Sequence, residues 1–325
     1  MNAASASTPS LSSPAPAPLR TRDVVRLGAG DRALRRRAER GSLVRLVPGT
    51  YTDRDHWEAL SEREQYVARC HAQLLDLPPG VVASHWSAAA VWGFPVRERW
   101  PDRLEVVDAA RSRTNSSATL LRRAGPLPAA DTTSWEGRRI TRPARTAVDL
   151  ALADGFETGV LLIDHGLHAG LFTTDTLVAL VREREGAKRF RAAEAAVEFA
   201  SPDGESPGES FSRMSIAVGG LAAPALQEEF SDDAGLIGRV DFWWSASGVV
   251  GEFDGDWKYS DERFLRGRAA VDVIREEKRR QARLELHPRV RRVVRWDYAT
   301  SRRPDVLAAR LLAAGVRRSG VAGRP

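Results

Sequence analysis

The sequence predicts a multi-domain α/β protein, and three observations indicate this fold class. The chain has 325 residues, enough for two or three domains with sizeable cores. Stretches with helical periodicity alternate with short runs rich in β-branched and aromatic residues. The segment Ser-Pro-Asp-Gly-Glu-Ser-Pro-Gly at 201–208 has the composition of a linker and divides the chain.

Composition narrows the class of protein. No apolar run is long enough to span a membrane, and no signal-peptide core follows the start, so we expect no membrane partner. The single Cys70 excludes a disulfide framework and a cysteine-based zinc site, and it favours a reducing cytoplasm. Residues 1–19 are rich in Ser, Ala and Pro, so they are expected to form a disordered tail.

Positive charge is concentrated in two windows. Residues 20–45 carry a net charge of +6, residues 263–303 carry +9, and the rest of the chain carries −9. Two basic patches on an otherwise acidic chain indicate two surfaces that face a polyanion. For each window alone, a merely solvated helix face is the alternative.

Residues 20–55 have the layout of a winged helix-turn-helix. Thr21 can cap a short helix through Leu27, and Asp31 can cap a second helix that reaches residue 40. Strands over 42–47 and 50–52 follow, joined by Pro-Gly. The second helix and its wing carry the candidate DNA contacts, which are Arg35, Arg36, Arg37, Arg40 and Arg45. The alternative is a small helical module that these arginines only solvate.

Three segments resemble the abortive-infection type IV antitoxin family (AbiEi-like). They are DRALRRRAERGSLVRLVPGTY at 31–51, SHWSAAAVWGF at 84–94 and TRPARTAVDL at 141–150. The resemblance covers about the first half of the chain and rests on the order of the segments. It implies a winged-helix domain that represses its own operon and opposes a nucleotidyltransferase-like cognate toxin.

Residues 56–200 predict a mixed, mainly helical region. Helices are expected over 62–75, 84–92, 141–152, 156–169, 174–185 and 189–200, and strands over 103–108 and 118–122. His85 stands beside a helix start without a second catalytic partner, so we interpret it as a cap or a buried hydrogen-bonding group. His165 and His168 share a helix face but lack a third metal ligand. We interpret the region as a scaffold or partner surface.

Residues 209–317 predict one α/β domain. A helix begins at Glu209, strands follow over 226–230, 238–244 and 249–254, a basic helix spans 261–286, and a strand spans 290–296. The closing helix is expected over 304–316.

A hairpin over 238–259 is predicted to place three carboxylates on one face. If the turn is centred between Ala246 and Ser247, Asp241 lies opposite Glu252, and alternation places Asp254 on the same face. The opposite face would hold apolar side chains, namely Val240, Phe242, Trp244 and Phe253. Three carboxylates on one face repel each other, and a divalent ion with oxygen ligands is the usual compensation.

This domain resembles the restriction-endonuclease-like PD-(D/E)xK fold, and more closely its very-short-patch-repair-endonuclease-like branch. The similarity runs from Glu209 to Asp297 and rests on Glu209, Asp241, the Glu252-Phe-Asp254 segment and Lys278-Arg279. It implies that Asp241 and Glu252 hold Mg²⁺ or Mn²⁺, that Glu209 completes the acid set, and that Lys278 and Arg279 meet DNA phosphates. Metal-activated water would then hydrolyse a phosphodiester.

The sequence departs from that pattern at one position. Asp254 stands where the fold has a lysine, and Lys258 is the candidate substitute. The alternative is a structural hairpin whose acids pair with Arg263, Arg266 or Arg279.

Two hypotheses follow. In the first, a DNA-binding winged helix is joined to a metal-dependent endonuclease that acts on double-stranded DNA and needs no small-molecule cofactor. In the second, the chain is a DNA-binding autorepressor or antitoxin whose nuclease-like domain is inactive.

Overall fold

A computed structural model describes residues 18–22, 31–255 and 270–320 of the chain. It is a mixed α/β structure with three sheets. The chain divides into two compact units, and the boundary in the sequence falls between Glu198 and Phe199. In the described ranges, every helix is too short or too polar to cross a membrane.

The first unit begins with a small antiparallel sheet. Its strands β1 (Leu19–Arg20), β2 (Leu43–Val47) and β3 (Thr50–Asp53) are ordered β1-β3-β2. Helix α1 (Asp31–Glu39) packs on this sheet through Leu34, Leu43 and Tyr51.

The predicted second helix and hairpin are thereby confirmed, but the predicted tail is too long. Leu19 pairs with Tyr51, because the free backbone edge of β3 can accept a further strand. Residues 1–17, and residues 23–30 of the expected first helix, lie outside the described part.

The rest of the first unit is a six-stranded sheet with helices. Its strand order is β6-β7-β5-β4-β9-β8, where β5 pairs parallel with β7 and β4 pairs parallel with β9. The strands are β4 (Val82–Ala83), β5 (Leu104–Asp108), β6 (Asn115–Ser116), β7 (Leu120–Ala124), β8 (Thr132–Trp135) and β9 (Arg138–Thr141). The helices are α2 (Arg54–Ala59), α3 (Glu62–Leu74), α4 (His85–Trp92), α5 (Pro143–Asp154), α6 (Phe156–His168), α7 (Thr174–Arg182) and α8 (Phe190–Phe199).

The region is mixed and mainly helical, as predicted, but the sequence predicted only two of the six strands of its sheet. Strands β4, β8 and β9 have two to four residues and β9 begins with two arginines, so they lack a readable alternation. The predicted ends of each long helix lie within a few residues of the observed ends.

The second unit is a four-stranded sheet covered by helices. The strands β10 (Ala225–Asp232), β11 (Gly235–Trp244), β12 (Val249–Phe253) and β13 (Arg292–Trp296) lie in that order. All neighbours are antiparallel except β12 and β13, which are parallel. The helices are α9 (Pro207–Val218), α10 (Ala270–Leu286), α11 (Tyr298–Ser301) and α12 (Pro304–Ala313).

Apolar clusters cover both faces of this sheet. One contains Phe242 and Trp244 with side chains from α9 and α12, and the other contains Trp243 and Val250 with Leu284 from α10. The sheet is therefore the middle layer of a three-layer α/β/α unit.

Two sequence expectations for the second unit are corrected. The linker ends before Pro207, because Ser206 caps α9 by accepting the Glu209 backbone N–H and proline suits the first turn. Val240 packs with Trp243 rather than with Phe242 and Trp244, so the hairpin does not have a single apolar face.

Candidate active site and nucleic-acid interface

Asp241 lies where strands β11 and β12 separate. Phe242 pairs with Gly251, which is the hairpin register predicted from the sequence. At the next position the Asp241 carboxylate Oδ2 accepts the Phe253 backbone N–H at 2.8 Å. Gln227, opposite Asp241 on β10, has a φ of 54°, so the backbone leaves the extended conformation there. The side-chain alternation of β11 changes at the same place, since Val240 packs with Trp243 and not with Phe242.

Glu209 reaches the same end of the sheet from helix α9. A Cβ on Gly208 would lie 1.9 Å from the Phe253 ring, so glycine is required for this close approach. The Glu209 carboxylate accepts hydrogen bonds from the Ser206 hydroxyl at 2.6 Å, the Gln227 amide at 2.9 Å and the Glu205 backbone N–H at 3.2 Å. Gln227 thus connects Glu209 with the strand position opposite Asp241.

The charge of Glu209 is unfavourable in this position. The side chain is buried, with 9% of its surface exposed. Burial and, second, the negative charge of Asp241 raise the pKa of Glu209 to about 7. The group can therefore hold or release a proton near neutral pH.

Glu252 is held by two arginines. Its Oε1 lies 2.9 Å from Arg280 on α10, and its Oε2 lies 2.6 Å from Arg295 on β13. Glu277 binds the same two guanidinium groups at 2.8 and 3.3 Å. Burial would raise the pKa of Glu277, but the hydrogen bonds from Arg280 and Arg295 lower it overall. The four side chains form one ion-pair network.

The partners of Glu252 differ from those proposed for a structural hairpin. Arg279 is exposed, whereas Arg280, its neighbour on α10, makes the ion pair. Arg263 and Arg266 lie outside the described residues. Arg295 reaches Glu252 because the parallel pairing of β12 with β13 places the two residues side by side.

The three carboxylates expected on one face, Asp241, Glu252 and Asp254, do not form a ligand cluster in the described ranges. Glu252 contacts Arg280 of α10, whereas Glu209 approaches over Phe253, which packs in the cluster on the other face. Asp241 lies between them, at the strand gap. Asp254 follows the end of β12, half-buried, and its backbone N–H donates to the Trp296 carbonyl at 2.8 Å.

The carboxylates differ in how well they suit a divalent ion. Glu209 and Asp241 repel each other, and their oxygens are of the type that Mg²⁺ and Mn²⁺ prefer, so this pair fits such an ion. Glu252 fits only after it leaves Arg280 and Arg295. In the described ranges no set of three His, Cys, Asp or Glu side chains is grouped closely enough to hold a metal.

The described basic residues that were predicted to contact DNA lie on the surface. On α1 and β2, Leu34 and Leu43 face the small core, and the predicted DNA contacts are all exposed, namely Arg35, Arg36, Arg37, Arg40 and Arg45. Lys278 and Arg279 are exposed on α10. Lys258 lies outside the described residues.

Sequence reasoning missed Gln227, Arg280 and Arg295. Gln227 can be identified as a site residue only when the β10–β11 register is known, because that register places it opposite Asp241. Arg280 follows Glu277 by three residues on a helix, a spacing that pairs opposite charges.

The interpretation of His85 as a buried hydrogen-bonding group is confirmed. Its Nδ1 lies 3.0 Å from the Ser84 hydroxyl. Burial and then the nearby Arg123 and Arg145 hold the pKa of His85 well below its usual value, so the ring is neutral at neutral pH.

We expect Glu209→Gln to stabilise the chain at alkaline pH. The pKa of folded Glu209, about 7, lies above its ordinary value of 4.5, so the folded state binds the extra proton. Stability is therefore lost as the pH rises from 4.5 to 7, and the loss is complete above 7. The variant should gain about 3 kcal/mol at pH 8.5 and about 1 kcal/mol at pH 5, measured by urea unfolding.

The matched control is Glu229→Gln, which changes an exposed glutamate on β10. It should show no gain that depends on pH. Equal gains for Glu209→Gln at both pH values would contradict a buried, partly protonated Glu209.

The fold and the site together define a mixed α/β protein with acidic residues at one end of the four-stranded sheet of its second unit. No family model matches the chain. Two similar proteins are "Uncharacterized protein MT2308" of Mycobacterium tuberculosis strain CDC 1551 / Oshkosh and "Uncharacterized protein Rv2248" of strain ATCC 25618 / H37Rv. Each is 26% identical over 238 residues, which cover 73% of this chain and 83% of the relative. Neither name states an activity.

Proposed function

We propose that the chain is a DNA-binding protein with a winged-helix module in its first unit and a metal-dependent endonuclease site in its second. One observation carries the nuclease proposal. Glu209, Asp241 and the Glu252-Phe253 peptide converge at the gap between β11 and β12. A helix acid, a strand Asp and a Glu on the next strand are also the elements on which the resemblance to the PD-(D/E)xK fold rests.

The side chains suit phosphodiester hydrolysis in separate ways. Asp241 is fixed by the Phe253 N–H and Glu209 by Ser206 and Gln227, so both carboxylates are oriented in advance. Without an ion the pKa of Glu209 is about 7, and a divalent ion beside Glu209 and Asp241 would hold both carboxylates ionised as its ligands. A divalent ion, when bound, would polarise the phosphoryl group and activate water.

Two features support DNA as the substrate. Helix α1 followed by the β2–β3 hairpin is consistent with the second helix and wing of a winged helix-turn-helix, and both elements carry exposed arginines. In the second unit, α10 presents Lys278 and Arg279 to solvent.

Cleavage of supercoiled plasmid tests the proposal. We expect the wild-type chain to nick the plasmid with Mg²⁺ or Mn²⁺, and excess EDTA to abolish nicking. Glu252→Ala should remove the activity as well. Nicking that persists in EDTA, or that Glu252→Ala leaves unchanged, would contradict the proposed site.

A specific observation favours a second candidate, a DNA-binding autorepressor or antitoxin that does not cut. Arginines neutralise both Glu252 carboxylate oxygens, so this carboxylate is stable without a metal ion. This candidate predicts salt-sensitive DNA retention by the wild type and by Glu252→Ala, with no nicking by either. A cognate toxin would then be the expected protein partner.

A further inference from the structure

A basic cleft lies at the end of the four-stranded sheet of the second unit, opposite the acidic site. It has a volume of about 350 Å³ and lies between the β11–β12 turn, the start of β13 and the end of α12. Arg291, Arg292 and Arg317 line it together with Ser247 and Gly315. Among the described lining residues none is acidic.

Backbone contacts hold two of these arginines in place. The Gly248 carbonyl accepts the N–H groups of Arg291 at 2.7 Å and Arg292 at 3.3 Å. Gly248 has a φ of 65°, and a Cβ there would lie 2.9 Å from the Arg291 side chain and 3.0 Å from the Arg289 carbonyl. A glycine is therefore required for Arg291 to pack against the turn.

Arg292 is fixed further by helix α12. Its Nη1 donates to the Ala313 carbonyl at 3.2 Å. The Arg292 guanidinium retains further N–H donors, and Arg291 and Arg317 line the same cleft. Three lining arginines without a lining carboxylate favour an anion that accepts several hydrogen bonds.

The distance from the cleft to the acidic site is comparable to the length of a few nucleotides. Along the β12–β13 pair, Val249 lies beside Arg292 and Glu252 lies beside Arg295. Three residues of a strand span about 10 Å. One DNA strand rises about 3.4 Å per nucleotide, so this separation corresponds to about three nucleotides.

We propose that this cleft binds a phosphate group of the DNA backbone about three nucleotides from the acidic site. The inference rests on the proposed function, because it takes DNA as the ligand. The contact would position the strand and would not depend on base sequence.

The salt dependence of DNA binding tests this proposal. Fluorescence anisotropy with a labelled 20-base-pair duplex is measured from 50 to 300 mM NaCl for the wild type and the Arg291→Gln/Arg317→Gln double variant. Each lost phosphate contact lowers the slope of log K against log salt by about 0.9. The double variant loses this one phosphate contact, so its slope should be smaller by about 0.9 and it should bind about 8-fold more weakly at 0.1 M salt.

Arg310→Gln is the matched control, because Arg310 is exposed on α12 and does not line the cleft. Its slope should equal that of the wild type, and circular dichroism should show all three proteins folded. A wild type that binds the duplex with a slope that the double variant shares would overturn the cleft proposal alone. A wild type that does not bind the duplex would overturn the proposed function as well.

A calorimetric titration with inorganic phosphate distinguishes the source of the phosphate. If inorganic phosphate binds the wild type but not the double variant, and the duplex slopes are the same, the cleft takes a free phosphate and the DNA contact is overturned. Weak binding of inorganic phosphate together with the slope change supports the backbone contact.

Discussion

Asp241→Asn is expected to lower metal-dependent plasmid nicking about a thousandfold. Asparagine keeps a side-chain oxygen that can accept the Phe253 N–H, so the strand gap should retain its geometry. It removes the negative charge that a divalent ion requires at this position. A metal contributes several kcal/mol to such a reaction, and each 1.36 kcal/mol is a factor of ten in rate.

Asp233→Asn is the control for this substitution. Asp233 is exposed in the turn between β10 and β11, so the same chemical change there should leave the nicking rate within a factor of two. Equal nicking by Asp241→Asn and the wild type would place the cleavage chemistry at other residues. Absence of nicking by the wild type would favour the regulator that does not cut.

The Asp241→Asn variant also has a readout that is independent of cleavage. The charge of Asp241 is the second cause of the raised pKa of Glu209. Its removal should lower that pKa, so the pH range in which stability is lost should move toward 4.5. An unchanged pH profile of unfolding would show that the two carboxylates do not interact.

The hairpin shows how far the sequence could predict the site. Turn composition and β-branched residues were sufficient for the register, which places Phe242 opposite Gly251. The direction of the side chains was not predictable from alternation, because Gln227 has a positive φ and Asp241 fills a backbone hydrogen-bond position. A local irregularity of this kind leaves no mark in a hydrophobic pattern.

The partners of Glu252 show a second limit. Arg280 lies on a helix and Arg295 on a strand that pairs in parallel, so both contacts depend on tertiary packing. With 49 basic residues in the chain, sequence alone could not select the two that meet Glu252. A basic helix was predictable from charge density, but which of its faces meets the sheet was not.

In the first unit, the shortest strands were elements that the sequence did not predict. Strand β4 has two residues, yet it lies between β5 and β9 in the six-stranded sheet. Its place in the sheet depends on neighbours that are distant in the chain, whereas helices such as α6 have enough residues to show their period.

Arg145→Leu is expected to destabilise the first unit by about 3–5 kcal/mol. Arg145 is buried and donates from Nε to both Asp149 oxygens at 2.7 and 2.8 Å, and from Nη1 to Asp131 at 2.7 Å. Without it, the nearest remaining cation is Arg184, which lies 3.4 Å from Asp131 and 4.0 Å from Asp149. Leucine fills part of the space but leaves a buried carboxylate without its bidentate partner.

The loss should depend on pH in a direction that the burial of Asp149 determines. Burial raises the pKa of Asp149 against the opposing effect of Arg145, so removing Arg145 should raise it further. A folded carboxyl with a raised pKa loses stability as the pH rises through that pKa, so the deficit should be larger at pH 8 than at pH 5. Urea unfolding at both pH values measures it.

Arg191→Leu provides the matched comparison. Arg191 pairs with Glu194 at 2.7 Å, as close as Arg145 to Asp149, but its side chain is 86% exposed. An exposed pair of this kind contributes little to stability, because water screens it, so the comparison isolates burial from distance. Equal effects of the two substitutions would contradict the view that burial of Asp149 gives Arg145 its importance. In the double variant Arg145→Leu/Asp149→Asn, much of the loss should be recovered, because no unpaired charge then remains at Asp149.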